Sequence, residues 1–223
     1  VLKENNIVVN TSVLEYISKF RTKEGIFYVW PTEDVWFKES NSQINDELYS
    51  FLYNNEIDEA VNAVILFAYS LFNESLPEVS EFLNNFIKTE EFRRGTAYFP
   101  SPNSFIYFFT RAYYDGGATA LNGSLNSVVD YILEIKKNNS LNEIENCMVT
   151  VSLLNSRYKG VEVCESVNSI IKTQKEDGGW PTNMFYGGPK PLTKGSYYGS
   201  EDITTSICLE ALLKYKIGNS NIS

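Results

Sequence analysis

Apolar residues recur at helical spacing along most of this chain, in two alternating kinds of stretch. Four stretches resemble one another: 13–21 (Val13, Leu14, Tyr16, Ile17), 79–88 (Val79, Phe82, Leu83), 128–136 (Val128, Tyr131, Ile132) and 166–174 (Val167, Ile170, Ile171). Their i, i+3, i+4 spacing predicts amphipathic helices. After each comes a loop and then a second predicted helix, at 58–72, 104–114, 141–154 and 200–215. The loops collect the breakers Pro31, Pro100, Pro102, Pro181, Gly187, Gly188, Pro189, Pro191 and Gly195. No strand pair with a tight hairpin turn stands out. The pattern predicts one all-α domain over 1–223, built from about four to five helical hairpins with their long loops on one side. Repeated helix pairs stack into a solenoid or close into a ring. The long aromatic loops favour a ring, because they can cover its mouth.

The fourth stretch ends in Gln174-Lys175-Glu176-Asp177-Gly178-Gly179-Trp180. The glycine pair suits the left-handed backbone of a helix C-cap. The Gln can satisfy open backbone groups of the turn. The Trp can pack on the helix end. Weaker copies occur at Arg21-Thr22-Lys23-Glu24-Gly25-Ile26-Phe27 and at Glu91-Phe92-Arg93-Arg94-Gly95. The motif therefore marks the turn between two helices of a hairpin.

Composition narrows the function. Of 223 residues, 43% are hydrophobic, enough for a full core. A net charge of −9 argues against nucleic acid and against docking on anionic membranes. Contact with the periphery of other membranes stays open. No window approaches the ~18 apolar residues of a membrane span. Residues 1–10 carry no basic flank or cleavage-like site of a signal peptide, and the absent initiator Met suits a mature or trimmed product. The three cysteines, Cys147, Cys164 and Cys208, are odd in number and widely spaced, and read as reduced core residues of a cytoplasmic protein. Histidine is absent, which removes Ser-His-Asp and Cys-His catalysis and any zinc site that needs imidazole. No metal or cofactor is expected. Aromatics reach 14% and fit either a Phe- and Tyr-rich core or a cavity with aromatic walls.

The Gln-x-x-x-Gly-x-Trp motif between two helices resembles the repeat of the terpene cyclase and protein prenyltransferase α/α-toroid superfamily. Residues 199–212, beginning Gly199-Ser200-Glu201-Asp202, are similar to the start of an inner helix in squalene-cyclase-like bacterial proteins. The resemblance implies an α/α toroid, with the first helix of each hairpin outside and the second inside. About six hairpins are usual there. The smaller number here implies an open or partial ring, which a second chain or domain would complete.

In such toroids the inner helices point their N-termini at a central cavity. Glu56-Ile57-Asp58-Glu59, ahead of an aliphatic run, resembles the Asp-x-Asp-Asp signature of class II terpene cyclases. On that pattern Asp58 is the proton donor, flanked by Glu56 and Glu59. Clustered carboxyls suit the task, because they cannot all ionise and one keeps its proton. The resulting carbocation is held by aromatic faces. The chain departs from the pattern in having Glu at both flanks, Ala60 in place of a usual Thr, and no His to orient the donor. The competing reading of residues 56–59 is an acidic cap on a structural helix.

Candidate substrate contacts are Trp30, Trp36, Phe105, Tyr107, Tyr198 and Asp202, with Phe108, Phe109 and Tyr197 beside them. The Phe and Tyr residues on an inner helix read as core first and as cavity lining second. Arg93, Arg94, Arg111, Lys190 and Lys194 fit either a diphosphate or solvated surface. The resemblance thus implies protonation and cyclisation of a hydrophobic isoprenoid. Two alternatives stand beside it: a non-catalytic binding or scaffold module, and a glycosidase using Asp58 and Asp202 as its carboxylate pair. Protein prenyl transfer and lanthionine-cyclase chemistry need a His that the chain lacks. None of the cysteines lies in a thioester motif.

Overall fold

The computed structural model describes residues 11–29, 56–138, 141–187 and 196–220. They form eight α-helices: α1 (Ser12–Ser18), α2 (Glu59–Leu71), α3 (Pro77–Lys88), α4 (Pro102–Tyr114), α5 (Leu125–Asn138), α6 (Glu143–Asn155), α7 (Val161–Lys172) and α8 (Glu201–Ser220). Short 3-10 turns lie at Glu91–Arg94 and Thr119–Ser124. The fold is all-α, as the periodicity predicts. One small strand pair, β1 (Tyr186–Gly187) with β2 (Tyr197–Tyr198), is antiparallel and escaped the sequence reading, since two-residue strands leave no alternation to detect.

Helix starts follow local chemistry. Pro occupies the first turn of α3 and α4, where its missing N–H costs nothing. Asn142 and Glu145 form a capping box at α6: Glu145 N donates to Asn142 Oδ1 at 3.0 Å, and Asn142 N donates to Glu145 Oε2 at 3.3 Å. Asp58 caps α2.

The second helices of the hairpins form one inner row. α2 packs on α4, α4 on α6, and α6 on α8, while α3, α5 and α7 lie outside. Among the described residues α2 and α8 share no comparable interface, so the four hairpins make an arc. Burial follows from this arrangement. Ten residues of α6 are buried, from Ile144 round to Asn155, because the helix has an inner neighbour on each flank and α7 behind it. One hydrophobic cluster joins Phe27, Leu66, Leu83, Phe105, Ile132 and Val149. A second joins Tyr107, Met148, Ile170, Trp180 and Ile207.

The turn motif holds its place bond for bond in two hairpins. Gln174 Nε2 donates to Gly178 O at 2.7 Å, and Arg21 Nε donates to Gly25 O at 2.7 Å. Lys175 N donates to Gly179 O, as Thr22 N does to Ile26 O. Gly178 and Gly25 sit at φ +88° and +87°, which a side chain strongly disfavours. Trp180 and Phe27 are both fully buried. Each is then tied to its inner helix: Trp180 N donates to Thr205 Oγ1 at 3.1 Å, and Phe27 N donates to Asn62 Oδ1 at 2.9 Å. Arg replaces Gln because its Nε–H reaches the same carbonyl. The third copy keeps only its glycine, Gly95, at φ +76°.

One expectation is corrected. Cys147 of α6 and Cys208 of α8 form a disulfide, with Cα atoms 5.0 Å apart. The two lie 61 residues apart in sequence, and only the packing of α6 on α8 brings them together. Cys164 alone is free and exposed. Such cross-links persist in oxidising compartments, which weighs against a cytoplasmic placement. The bond is expected to contribute about 2–4 kcal/mol. The Cys147→Ala, Cys208→Ala double variant should lower the urea midpoint, with a larger m-value because the unfolded chain loses its cross-link and exposes more surface. No described helix is long and apolar enough to cross a membrane.

Candidate functional site

The chain enters α2 extended, Asp58 having φ −128° and ψ 130°. Residues 56–57 are pinned beforehand: Val29 N donates to Glu56 O at 2.9 Å, and Ile57 bridges Tyr28. Asp58 is fully buried. Its Oδ1 accepts from Val61 N at 3.0 Å, which caps the helix, and its Oδ2 accepts from Tyr98 N at 3.1 Å. One carboxylate thus joins the start of α2 to the segment that leads into α4.

The two flanking acids differ from it. Glu56 is exposed, while Glu59 is half-buried in the first turn of α2. Burial pushes the Glu59 carboxyl above its ordinary value, and the charge of Asp58 adds to this, against backbone hydrogen bonding and Arg94. The sign for stability follows. The folded state holds the Glu59 proton more tightly than the unfolded chain, so stability falls as pH rises from the ordinary carboxylate value through the raised one. Glu59→Gln should remove that loss. Its Tm should exceed the parent's at pH 7 by more than at pH 4, read by differential scanning calorimetry.

Beside Asp58 lies a continuous aromatic cluster. Tyr98, fully buried, stacks on Tyr186 with centroids 6.0 Å apart and planes at 15°. Tyr186 continues to Tyr198 at 6.2 Å. Phe99 meets the edges or faces of Phe108 at 5.2 Å, Phe185 at 5.5 Å and Tyr186 at 5.8 Å. The strand pair is anchored here, with Gly187 N donating to Tyr98 O at 2.8 Å and Phe185 N to Tyr198 O at 2.9 Å. Burial, and then the charge of Asp58, raises the Tyr186 hydroxyl above its ordinary value. Of this cluster the sequence reading named only Phe108 and Tyr198. Tyr98, Phe99, Phe185 and Tyr186 were legible only as aromatic doublets near the loop prolines and glycines.

The other candidates scatter. Phe105 is fully buried against Phe86 and Phe109, at 5.0 and 5.8 Å. Asp202 is exposed on the first turn of α8, in contrast to the buried Asp58. Trp30, Trp36, Lys190 and Lys194 lie outside the described residues. Arg93 pairs with Glu134 at 3.0 Å and Arg94 with Glu91 at 2.8 Å.

Tyr107 belongs to a second polar group. Its hydroxyl donates to Glu210 Oε2 at 2.6 Å and accepts from Arg111 Nη1 at 3.3 Å. Arg111 Nε faces Glu210 at 3.3 Å and Asp115 at 3.6 Å, and Lys214 pairs with Asp115. The Arg111 guanidinium also lies over Phe67 of α2, 5.0 Å from the ring centroid. This network bridges α4 and α8, the two inner neighbours of α6. Burial drives the Tyr107 hydroxyl far above its ordinary value, so it remains a donor at all ordinary pH. Elsewhere, an open groove of about 560 Å³ on the outer layer is lined by Glu81, Asn84, Lys88, Glu90, Ser124 and Ser127, and shares no lining residue with the surroundings of Asp58. Among the described residues no three His, Cys, Asp or Glu side chains are grouped to hold a metal ion.

The helical hairpins and a buried acid beside aromatic rings define the class of protein with which comparison is informative. The chain is similar to drimenol cyclase drtB of Aspergillus calidoustus, at 23% identity over 179 residues. The match takes in 80% of this chain and 30% of that protein, so the chain spans under a third of its relative's length. This loosely supports a relationship to terpene cyclases. No family model matches the chain, and no solved structure matches it.

Proposed function

We propose that this chain is a class II terpene-cyclase-like protein, in which Asp58 delivers the proton that starts cyclisation of an isoprenoid chain. The similarity to a drimenol cyclase along 80% of the chain carries the reading. The surroundings of Asp58 support it. Protonating an alkene needs a neutral carboxylic acid. Each Asp58 oxygen accepts a single backbone N–H, which leaves lone-pair sites for the proton. Glu59, a second acid in the adjoining position, has its carboxyl raised by burial and then by the charge of Asp58, which biases it toward holding a proton beside Asp58. The tyrosine and phenylalanine faces of residues 98, 99, 186 and 198 would stabilise the developing carbocation. Tyr107 backs that wall through Phe108. Glu59 and the exposed Glu56 would return the proton from solvent.

Incubation with linear isoprenoids of the squalene and prenyl-diphosphate types tests the reading, with cyclised products read by mass spectrometry. Asp58→Asn should abolish product while the circular dichroism spectrum stays that of the parent. Unchanged turnover in the variant would remove Asp58 from the reaction.

One observation favours a second reading, a binding module without chemistry. Both Asp58 oxygens are engaged in holding α2 and Tyr98, which is sufficient reason for an acid there. On that reading the parent protein yields no product, and an isoprenoid quenches aromatic fluorescence equally in parent and Asp58→Asn proteins.

A further inference from the structure

Triplets that admit sugar attachment, Asn-x-Ser/Thr with x other than Pro, start at Asn10, Asn73, Asn122, Asn138 and Asn221. In an Asn-rich chain the triplet alone decides little. The Cys147–Cys208 disulfide gives it a context, because the compartments that form and keep such cross-links in secreted proteins are those in which asparagine receives sugar. The structure then separates the triplets. Those at Asn10, Asn138 and Asn221 reach outside the described residues. Asn122 is tied into the fold: its Oδ1 accepts from the Tyr113 hydroxyl at 3.1 Å. Ser124, which completes that triplet, is buried and donates to Asn84 Oδ1 at 2.5 Å. Asn73, Glu74 and Ser75 are all exposed.

Asn73 is the left-handed residue that ends α2, at φ +61°. Its backbone N donates to Ser70 O at 3.0 Å, and Glu74 N donates to Tyr69 O at 3.1 Å, the pair of bonds that closes a helix end. The backbone is thus engaged, while no hydrogen bond joins the Asn73 side chain to another described residue. Asn tolerates the left-handed geometry, yet this chain does not reserve Asn for it, since Glu90 and Arg157 both adopt φ +59°. We propose that Asn73 is an N-glycosylation site. Its Nδ2 forms the bond to the anomeric carbon of an oligosaccharide. The C–O bond to a lipid diphosphate carrier breaks, the carrier leaves as the diphosphate, and the amide loses one proton. Ser75 supplies the hydroxyl that marks the acceptor triplet. Asp58 caps the opposite end of the same helix, about 20 Å away at 1.5 Å per residue. A bulky, solubilising sugar at Asn73 therefore leaves the acid and its aromatic wall uncovered.

The test uses the chain isolated from the cells that make it. Peptide-N-glycosidase in oxygen-18 water converts a sugar-bearing asparagine to labelled aspartate, and mass spectrometry of a non-reduced digest locates the label. Most copies should carry the label at residue 73, in a sample where the Cys147 and Cys208 peptides are joined, and none should carry it without the enzyme. Two variants made in the same cells separate the modification from the turn. Asn73→Gly keeps the left-handed helix end, and Ser75→Ala keeps the asparagine. Each should lose the label at residue 73 and retain parental circular dichroism. An unmodified Asn73 in the isolated chain, or a label that survives Ser75→Ala, would overturn the proposal. Neither variant touches Asp58, so the cyclisation assay stands apart from this outcome.

Discussion

Replacing Asp58 with Ala should cost about 1.5–5 kcal/mol of stability, because it removes an N-cap worth about 0.5–2 kcal/mol and strands one buried backbone donor at about 1–3 kcal/mol. Val61 N loses its cap, and Tyr98 N loses the acceptor that ties it to α2. The second loss extends further than the first. Tyr98 carries the stack onto Tyr186, and its carbonyl holds Gly187 of the strand pair. Release of Tyr98 should therefore loosen the whole aromatic wall. Asp58→Asn behaves differently, since its amide oxygen still caps Val61 and only one of the two contacts turns from acceptor to donor. The expected order in urea unfolding is parent, then Asn, then Ala. Activity should be lost in both variants. That divergence separates the acid's chemistry from its structural role, because a purely structural Asp58 would let Asn retain most of the function.

Trp180→Ala should be the most damaging change in the turn motif, at about 3–5 kcal/mol. The indole is fully buried and belongs to the cluster that joins α6 to α8. Its Nε1 donates to Ile170 O at 2.8 Å, which satisfies a carbonyl near the end of α7. Truncation thus opens a cavity and removes one of the two hydrogen bonds to Ile170 O, the other coming from Thr173 Oγ1 at 3.1 Å. Trp180→Phe should recover most of the packing and none of the hydrogen bond, and the first copy of the motif already carries Phe27 at this position. Urea denaturation followed by circular dichroism at 222 nm should place Trp180→Phe between parent and Ala. A Trp180→Ala protein within 1 kcal/mol of the parent would contradict the role assigned to the staple.

Local signals account for what the sequence revealed. The aliphatic spacing of Val79, Leu83 and Ile87, or of Val163, Val167 and Ile170, is enough to define the outer helices, since each residue buries on the same face. Prolines 77 and 102 and the glycines at positive φ mark where helices begin and end. The Arg21 copy of the turn was legible because Arg and Gln both bear a side-chain N–H at the needed reach.

What the sequence concealed depends on pairings between distant residues. Tyr107 meets Glu210 across 103 positions, and Cys147 meets Cys208 across 61. Asp58 Oδ2 meets Tyr98 N across 40, and this contact is what makes the acid part of an aromatic site. Nothing in Tyr98-Phe99-Pro100 announces such a partner. The same limit explains the candidates that dispersed. Phe105 and Tyr107 lie two positions apart on one helix, hence on different faces, so one entered the core against Phe86 and the other the network with Glu210.

The central claim, proton delivery from Asp58 to an isoprenoid, has a direct isotopic signature. When the reaction runs in deuterium oxide, the acid exchanges with solvent and transfers deuterium to carbon as the first bond of the cascade forms. Mass spectrometry of the cyclised product should show one deuterium bound to carbon in the parent protein and no product with Asp58→Asn. A cyclised product free of carbon-bound deuterium, or deuterated product from Asp58→Asn at the parental rate, would contradict the account.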